Sequence, residues 1–213
     1  MQIAWFKHDL RGHDHSPLSA ALKEGATLPL YLIEPDLWKQ PDMSFRHYKQ
    51  LIKSLRALEA DCEKKGLKLV IRIGEAVEIF KSLCRKYNIQ NIYSHKETWN
   101  DWTRTRDFRL REWINTSTVT WIELQHNGVV SNLSNRDGWS SLWYKEMKKP
   151  IVELPKCFDT LNIESQEIPT PESLGLKNDG IEKFPNVGSL DAINLLESFM
   201  SKRGEGYTSQ MSS

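Results

Sequence analysis

Three histidines, His8, His13 and His15, stand in one short stretch with Asp9 and Asp14, a density of imidazole and carboxylate that in principle suits a divalent cation or proton transfer. Their spacing matches no zinc-type ligand pattern, so the expectation is a loop with surface histidines and helix-capping aspartates, and no metal. Asp9 and Arg11 either pair locally and fix that loop or serve a ligand there. A second dense stretch reads His95-Lys96-Glu97-Thr98-Trp99-Asn100-Asp101-Trp102-Thr103-Arg104-Thr105-Arg106-Asp107. In one reading, Asn100 or Asp101 caps a helix whose Arg104, Arg106 and Asp107 pair on a solvated face. In the other, the tryptophans form a stacking wall and the charges orient a ligand. Neither stretch contains G-x-G-x-x-G, G-x-x-x-x-G-K-[ST] or a Ser-Gly-Gly loop, so the backbone cradles that bind NAD or ATP phosphates are missing. No nucleophile, base and oxyanion donors group together, and no catalytic residue is assigned. Trp139 and Trp143, one helical turn apart, are expected to fill core.

Alternating strands and helices must position these residues. Residues 3–6 form a short apolar run that ends in Lys7-His8-Asp9, a buried first strand opening into a polar loop. Ser16-Pro17 fits an N-cap followed by proline in the first turn, leading into Leu18, Ala20, Ala21 and Leu22. Residues 28–33 give a second strand ending at Glu34-Pro35-Asp36. Leu51, Ile52, Leu55 and Leu58 recur at helical spacing over residues 45–65, with Gly66 placed to end the helix. A third strand over 67–73, the turn Gly74-Glu75, and a helix over 76–87 with Val77, Phe80 and Leu83 facing inward come next. A fourth strand over 91–95, a charged helix over 102–114 and a fifth strand over 118–124 complete the pattern. Such alternation predicts an α/β fold, a Rossmann-like doubly wound five-stranded parallel sheet with flanking helices. Ligands of such sheets sit beyond the C-terminal strand ends, here Lys7-His8-Asp9, Glu34-Pro35-Asp36, Gly74-Glu75 and His95-Lys96-Glu97.

The pattern stops near residue 130. Residues 131–187 hold a short helix around Trp139 to Met147 and then Pro150, Pro155, Pro169, Pro171 and Pro185, which read as an extended linker. A last helix follows in 188–213 before a Ser-rich end.

Composition sets broader bounds. The 213 residues, 39% apolar and 27% charged, suit one sizeable domain in water, with no run long enough for a membrane span and no N-terminal signal, so a cytoplasmic location is expected. Cys62, Cys84 and Cys157 lie far apart, which argues against a disulfide framework or a thiolate metal site. A net charge of +1 provides no global attraction to nucleic acid.

The stretch Trp5-Phe6-Lys7-His8-Asp9-Leu10-Arg11-Gly12-His13-Asp14-His15-Ser16-Pro17-Leu18 closely resembles the opening of photolyases and cryptochromes. The resemblance continues through Leu30 to Pro35, Ser44-Phe45-Arg46, Gly66 to Glu75, Thr103 to Asp107 and Gly128 to Met147. It implies that residues 1–130 are the family's N-terminal α/β domain and 131–187 an interdomain linker. Residues 188–213 then begin the helical FAD-binding domain, truncated at Ser213, with Tyr207 at a position that contacts the flavin's phosphate region. FAD, damaged DNA and the light-driven chemistry belong, by this resemblance, to that further domain of the parent chain, and the present residues are non-catalytic. The α/β domain is expected to hold an antenna chromophore, a deazaflavin, flavin or folate, or to serve structurally. Folate is disfavoured because Trp102-Thr103 stand where folate-binding members carry Asn-Glu. Arg46, Glu97, Trp102 and Arg106 are the candidate antenna-pocket residues, Arg46 because deazaflavin-type members place an arginine there. A stand-alone nucleotide-binding α/β module and a protein-interaction domain are the alternatives.

Overall fold

The computed structural model describes residues 1–129, 135–159, 161–180 and 188–210. Strands β1 (Gln2–Phe6), β2 (Thr27–Ile33), β3 (Val70–Ile73), β4 (Asn91–His95) and β5 (Thr120–Leu124) pair in parallel in the order β3-β2-β1-β4-β5. Ile3 lies opposite Leu28 of β2 and Ile92 of β4, so β1 is central and buried on both faces. The chain runs from β1 outward to β3, returns across the sheet and continues on the other side. The order therefore reverses between β1 and β4, the place where such folds open a crevice.

The period-2 geometry of a strand sorts the side chains of each strand onto opposite faces. Ala4 and Phe6 of β1 pack with Tyr31, Ile33 and Tyr93 against helices α1 (Ser16–Lys23) and α3 (Phe45–Glu63). Ile3 and Trp5 pack with Leu28, Leu30, Leu32 and Ile92 against helices α4 (Ala76–Lys86) and α5 (Asp101–Ile114). A short helix, α2 (Pro35–Trp38), follows β2. The doubly wound expectation holds, with small differences at element ends. Strand β3 begins at Val70 and not at 67, although Leu67 and Leu69 are buried as its approach. Strand β5 begins at Thr120.

The start of α1 corrects the expected cap. His15, not Ser16, is the N-cap, and its Nδ1 accepts the Leu18 N–H at 3.1 Å. Ser16 and Pro17 form the first turn, and the Ser16 hydroxyl instead reaches His95.

Beyond β5, helix α6 (Trp139–Met147) buries no side chain, so the expectation that Trp139 and Trp143 fill core is overturned: they are 44% and 36% exposed. Trp143 lies across Gly128, where a Cβ would fall 2.0 Å from its ring. Over its described residues the proline-rich segment is fastened to the domain, and Pro185 lies outside them. The Ser165 hydroxyl and Gln166 side-chain oxygen accept the Ile71 and Ile73 N–H groups at 2.9 and 2.8 Å, and the Gln166 N–H donates to the Ile71 carbonyl at 3.1 Å. Ile163 and Leu176 are buried in the cores on the two faces of the sheet. A 3-10 turn at Glu172–Leu174 sits within this segment. Helix α7 (Ser189–Ser201), a second 3-10 turn (Arg203–Gly206) and helix α8 (Tyr207–Gln210) end the described chain. Among the described residues, no helix is long and apolar enough to cross a membrane.

Phe80 of α4 is fully buried and meets the Trp5 ring edge-on at 5.1 Å. Phe80→Ala is expected to cost about 3–5 kcal/mol, from lost burial plus the cavity left behind. Chemical denaturation followed by circular dichroism measures this, and a loss under 1 kcal/mol, on the order of a surface change, would contradict the packing described.

Candidate functional site

The alternation that builds the core also sorts the groups just past the strand ends. Lys7 follows Trp5, and Glu34 follows Leu32, on the face covered by α4 and α5. Both enter a buried ionic network centred on Arg106 of α5. Arg106 Nη1 donates to Glu34 Oε2 at 2.8 Å, Nη2 to Glu97 Oε2 at 3.1 Å and Nε to Asp107 Oδ1 at 2.9 Å. Lys7 Nζ donates to Asp107 Oδ2 at 2.9 Å. Both cations lie over the Trp5 ring, Lys7 Nζ at 4.5 Å and Arg106 Cζ at 4.8 Å from its centroid. These arginine and aspartate side chains were read as candidates for a solvated face; they are 4% and 6% exposed. Thr103, Arg106, Asp107 and Leu110 form the buried stripe of α5 at helical spacing.

Two cations therefore face three carboxylates, Glu34, Glu97 and Asp107. Burial works against the Arg106 charge, but Glu34, Asp107 and Glu97 outweigh it and hold its pKa above the usual value. Glu34 goes the other way. Burial, reinforced by Asp107 and Glu75, overcomes the attraction of Arg106 and pushes its carboxyl up to about 7. Its Oε1 is buried and accepts no hydrogen bond. Protonation of Glu34 brings this network to charge balance.

On the opposite face, Phe6 and Tyr93 pack with α1, and His95 reaches its Ser16. Asp9 is the hub: its Oδ1 accepts the Lys7 N–H at 2.7 Å, and its Oδ2 accepts from His15 Nε2 at 2.8 Å and from His95 Nδ1. Burial alone would raise the Asp9 pKa, yet the two imidazole hydrogen bonds hold it well below the usual carboxylate range. His95 Nε2 meets the Ser16 hydroxyl at 3.0 Å, and His126 stacks on the His95 ring at 4.6 Å. The local Asp9–Arg11 pair does not form, because Asp9 is used by the histidines. Arg11 donates instead to the Asp14 carbonyl and to His126 Nε2, the latter at 3.0 Å. His15 is fully buried, against the expectation of a surface loop histidine, while His8 and His13 remain exposed.

Asp9, His15 and His95 bring three ligand-type atoms within 4.8 Å of one another, a spacing that suits a metal ion. Proton placement opposes one. His15 Nδ1 already accepts the Leu18 N–H, so Nε2 carries the ring proton and gives it to Asp9, leaving that nitrogen no lone pair for a metal.

Two clefts open beyond the ends of β4 and β5. The larger, of about 520 Å³, is lined by Lys96, Glu97, Trp99, Arg104, Phe108 and Arg111 among others. The smaller, about 270 Å³, lies at the β1–β4 reversal over His8, Asp9, His95 and His126, and shares Lys96, Glu97, Thr98 and Trp99 with the first. Trp99 is 44% and Phe108 61% exposed, so both present ring surface. Of the four pocket residues expected from sequence, Glu97 lines both clefts. Arg106 sits beneath them as the support of Glu97, and half-buried Trp102 lies 6.0 Å from Arg106 Cζ. Arg46 lies elsewhere, in the first turn of α3, paired with Asp179 at 2.7 Å. Tyr207 is 53% exposed and packs edge-on against Phe199.

The model of the DNA photolyase family matches residues 2–149. The chain belongs to the DNA photolyase family. Cryptochrome DASH of Solanum lycopersicum is 32% identical over 106 residues, covering 46% of this chain and 18% of that relative. Among solved structures, the cryptochrome of Synechocystis sp. PCC6803 superposes with a TM-score of 0.75 at 21% identity, over 98% of this chain and 48% of that one. An archaeal photolyase from Sulfolobus tokodaii, described as holding two FAD molecules with the implication of a novel light-harvesting cofactor, gives a TM-score of 0.59 at 24% identity. It is covered to 38% by 75% of this chain. The photolyase-family chain thus spans under a quarter of that curated relative and about half of the Synechocystis chain.

For this photolyase-family chain, sequence reasoning reached Lys7 through the strand-end rule but missed Phe108 and Arg111 as parts of the strand-end site. The available signal was the i, i+3, i+4, i+7 stripe ending in Leu110, which turns Arg106 and Asp107 inward and leaves Phe108 and Arg111 on the outer side.

The charge balance makes the Glu34→Gln variant informative. A folded-state pKa raised from 4.5 to about 7 means that the wild-type contribution is full below 4.5 and is lost as pH rises through 7. Wild type is expected to lose stability relative to Glu34→Gln across that interval and to level off above it, as read by denaturant titrations at several pH values; a constant difference would refute the raised pKa. For the histidine hub, excess zinc and excess chelator are both expected to leave Tm unchanged, whereas a zinc-induced rise that His15→Gln abolishes would establish a metal site.

Proposed function

We propose that this chain is the N-terminal, light-harvesting domain of a photolyase- or cryptochrome-like flavoprotein, and that it holds an antenna chromophore beyond the ends of β4 and β5. The observation that carries this reading is the 520 Å³ cleft with exposed Trp99 and Phe108 rings above the Arg106 network. Its volume lies in the range of small-molecule sites, about 300–1,000 Å³. Trp99 and Phe108 offer stacking surface to a flat ring system, and Lys96 offers a cationic partner to an acidic tail, while Arg104 and Arg111 pair with Asp101 and Glu123 at 2.7 and 2.6 Å. Glu97, locked by Arg106, is the orienting acceptor. When bound, such a chromophore absorbs light and passes the energy on, which asks the protein for rigid placement and not for acid-base chemistry.

The ligand class is a flavin or deazaflavin, with folate disfavoured for the Trp102-Thr103 substitution noted above. FAD itself belongs to a helical domain that begins near residue 188, with Tyr207 reaching its phosphate region, and damaged DNA is bound through that domain only. Residues 131–187 link the two. The exposed apolar side chains of α7, with Leu190 71% and Met200 76% exposed, are the docking surface for the rest of that domain. The cell compartment proposed is the cytoplasm.

The absorbance spectrum of the purified chain, with mass analysis of whatever acid releases, tests this. A near-ultraviolet or visible band is expected, either on purification or after incubation with riboflavin, FMN or a deazaflavin. Trp99→Ala is expected to weaken retention up to about tenfold, the effect of losing roughly 1–1.5 kcal/mol of aromatic contact. A chain that stays colourless with all of these would overturn the reading, and stabilisation by ATP would replace it with a nucleotide-binding module.

A further inference from the structure

We propose that Arg11 and His126 form an acid-released latch that fixes residues 125–129 to the loop after β1. The case rests on proton accounting. A guanidinium only donates, so the 3.0 Å contact from Arg11 Nη1 requires an unprotonated His126 Nε2. Protonation of His126 removes that lone pair and sets two cations against each other.

Arg11 cannot simply move aside. Its Nε and Nη2 both donate to the Asp14 carbonyl, at 3.1 and 2.9 Å. Asp14 in turn accepts the Val152 N–H through Oδ1 at 2.9 Å and holds a left-handed backbone, φ 46°. His126 is therefore the side of the latch that leaves.

The charged groups around His126 set the direction of its titration. Burial comes first and disfavours the imidazolium; His95 of β4, stacked on it, and Arg11 add to this, while Asp9 and Glu97 oppose. The nearby cleft also carries His8 and His13 from the loop after β1 and Asp191 from α7. The balance holds the His126 pKa below the usual 6.5. A depressed folded-state value means that the latch is intact above 6.5 and weakens as pH falls below it.

Release reaches further than one hydrogen bond. Residues 125–129 are knitted together by Gln125 and Asn127, whose side chains bond the Asn127 carbonyl and the Val129 N–H at 2.7 and 2.9 Å. Gly128 is the seat of Trp143, so α6 is coupled to the same loop. His126 and Asn127 line the smaller strand-end cleft and Val129 the larger. An effect of the latch on a bound chromophore rests on the function proposed above; the latch itself does not.

Hydrogen exchange on the chain without chromophore separates the two. Protection of the Val129 amide, which donates to Asn127 Oδ1, is expected to fall up to about tenfold per pH unit below 6.5, with amides of Phe6 and Ser94 in the central strands showing no such fall. His126→Gln, whose amide oxygen still accepts from Arg11 but does not titrate, is expected to make that protection independent of pH. Imidazole NMR of the wild type gives a second reading: a His126 titration below 6.5 that coincides with the loss of protection. The proposal fails if His126→Gln shows the same loss, if the central strands lose protection together with the loop, or if His126 titrates at or above 6.5.

Discussion

A guanidinium held out of water must be matched, charge for charge and hydrogen bond for hydrogen bond, or the fold around it gives way. Arg106 is matched by carboxylates from three separate parts of the chain: Glu34 at the end of β2, Glu97 just past β4 and Asp107 on its own helix. Lys7, from the end of β1, closes the set through Asp107. One ionic cluster thus ties β1, β2, β4 and α5 together at the edge where the clefts open. Apolar packing fixes the middle of the sheet without regard to direction, whereas these fork-shaped contacts fix orientation. The floor beneath Trp99 and Phe108 is rigid for that reason.

The same strand ends feed two chemically distinct layers. A one-residue step along β1 moves a side chain from one face to the other, so Lys7 joins the charge cluster on the α5 side while Phe6 stacks on His15 on the α1 side at 4.4 Å. His95 and Ser94 of β4 divide in the same way: His95 bonds Asp9, and the Ser94 hydroxyl accepts the Trp121 indole N–H at 2.9 Å. A full-charge network and a hydrogen-bonded imidazole chain lie back to back across one thickness of sheet, and they still communicate: Glu97 of the first acts on His126 of the second.

Much of the fold was legible because its signals are local. Apolar runs marked all five strands, Gly66 and Gly74-Glu75 marked the turns, and the strand-end rule led to Lys7, Glu34, His95 and Glu97 before any pairing was known. The pairings were not legible. His15 and His95 are 80 positions apart in sequence, yet their rings lie 4.7 Å apart and both bond Asp9. Asp9 and Arg11 looked like each other's natural partners, but the strand geometry gives Asp9 to the imidazoles. Arg106 and Asp107 were disguised by their polarity: a helix with 27% charge in its host chain reads as solvated unless its buried stripe is traced by spacing alone. Trp139 and Trp143 misled in the opposite direction, since bulk and helical spacing suggested burial on a helix that buries nothing.

The Ser165–Gln166 clasp on β3 gives the sheet a polarity that strand order alone does not. Its outer rim on that side is already occupied by the chain's own later segment, with the Ile71 and Ile73 donors satisfied. The opposite rim, β5, pairs only with β4 among the described residues. Any strand added from outside, whether in a crystal, an oligomer or an aggregate, would have to enter on the β5 side, next to the larger cleft. Growth of the sheet and access to that cleft would then compete for one edge of the molecule.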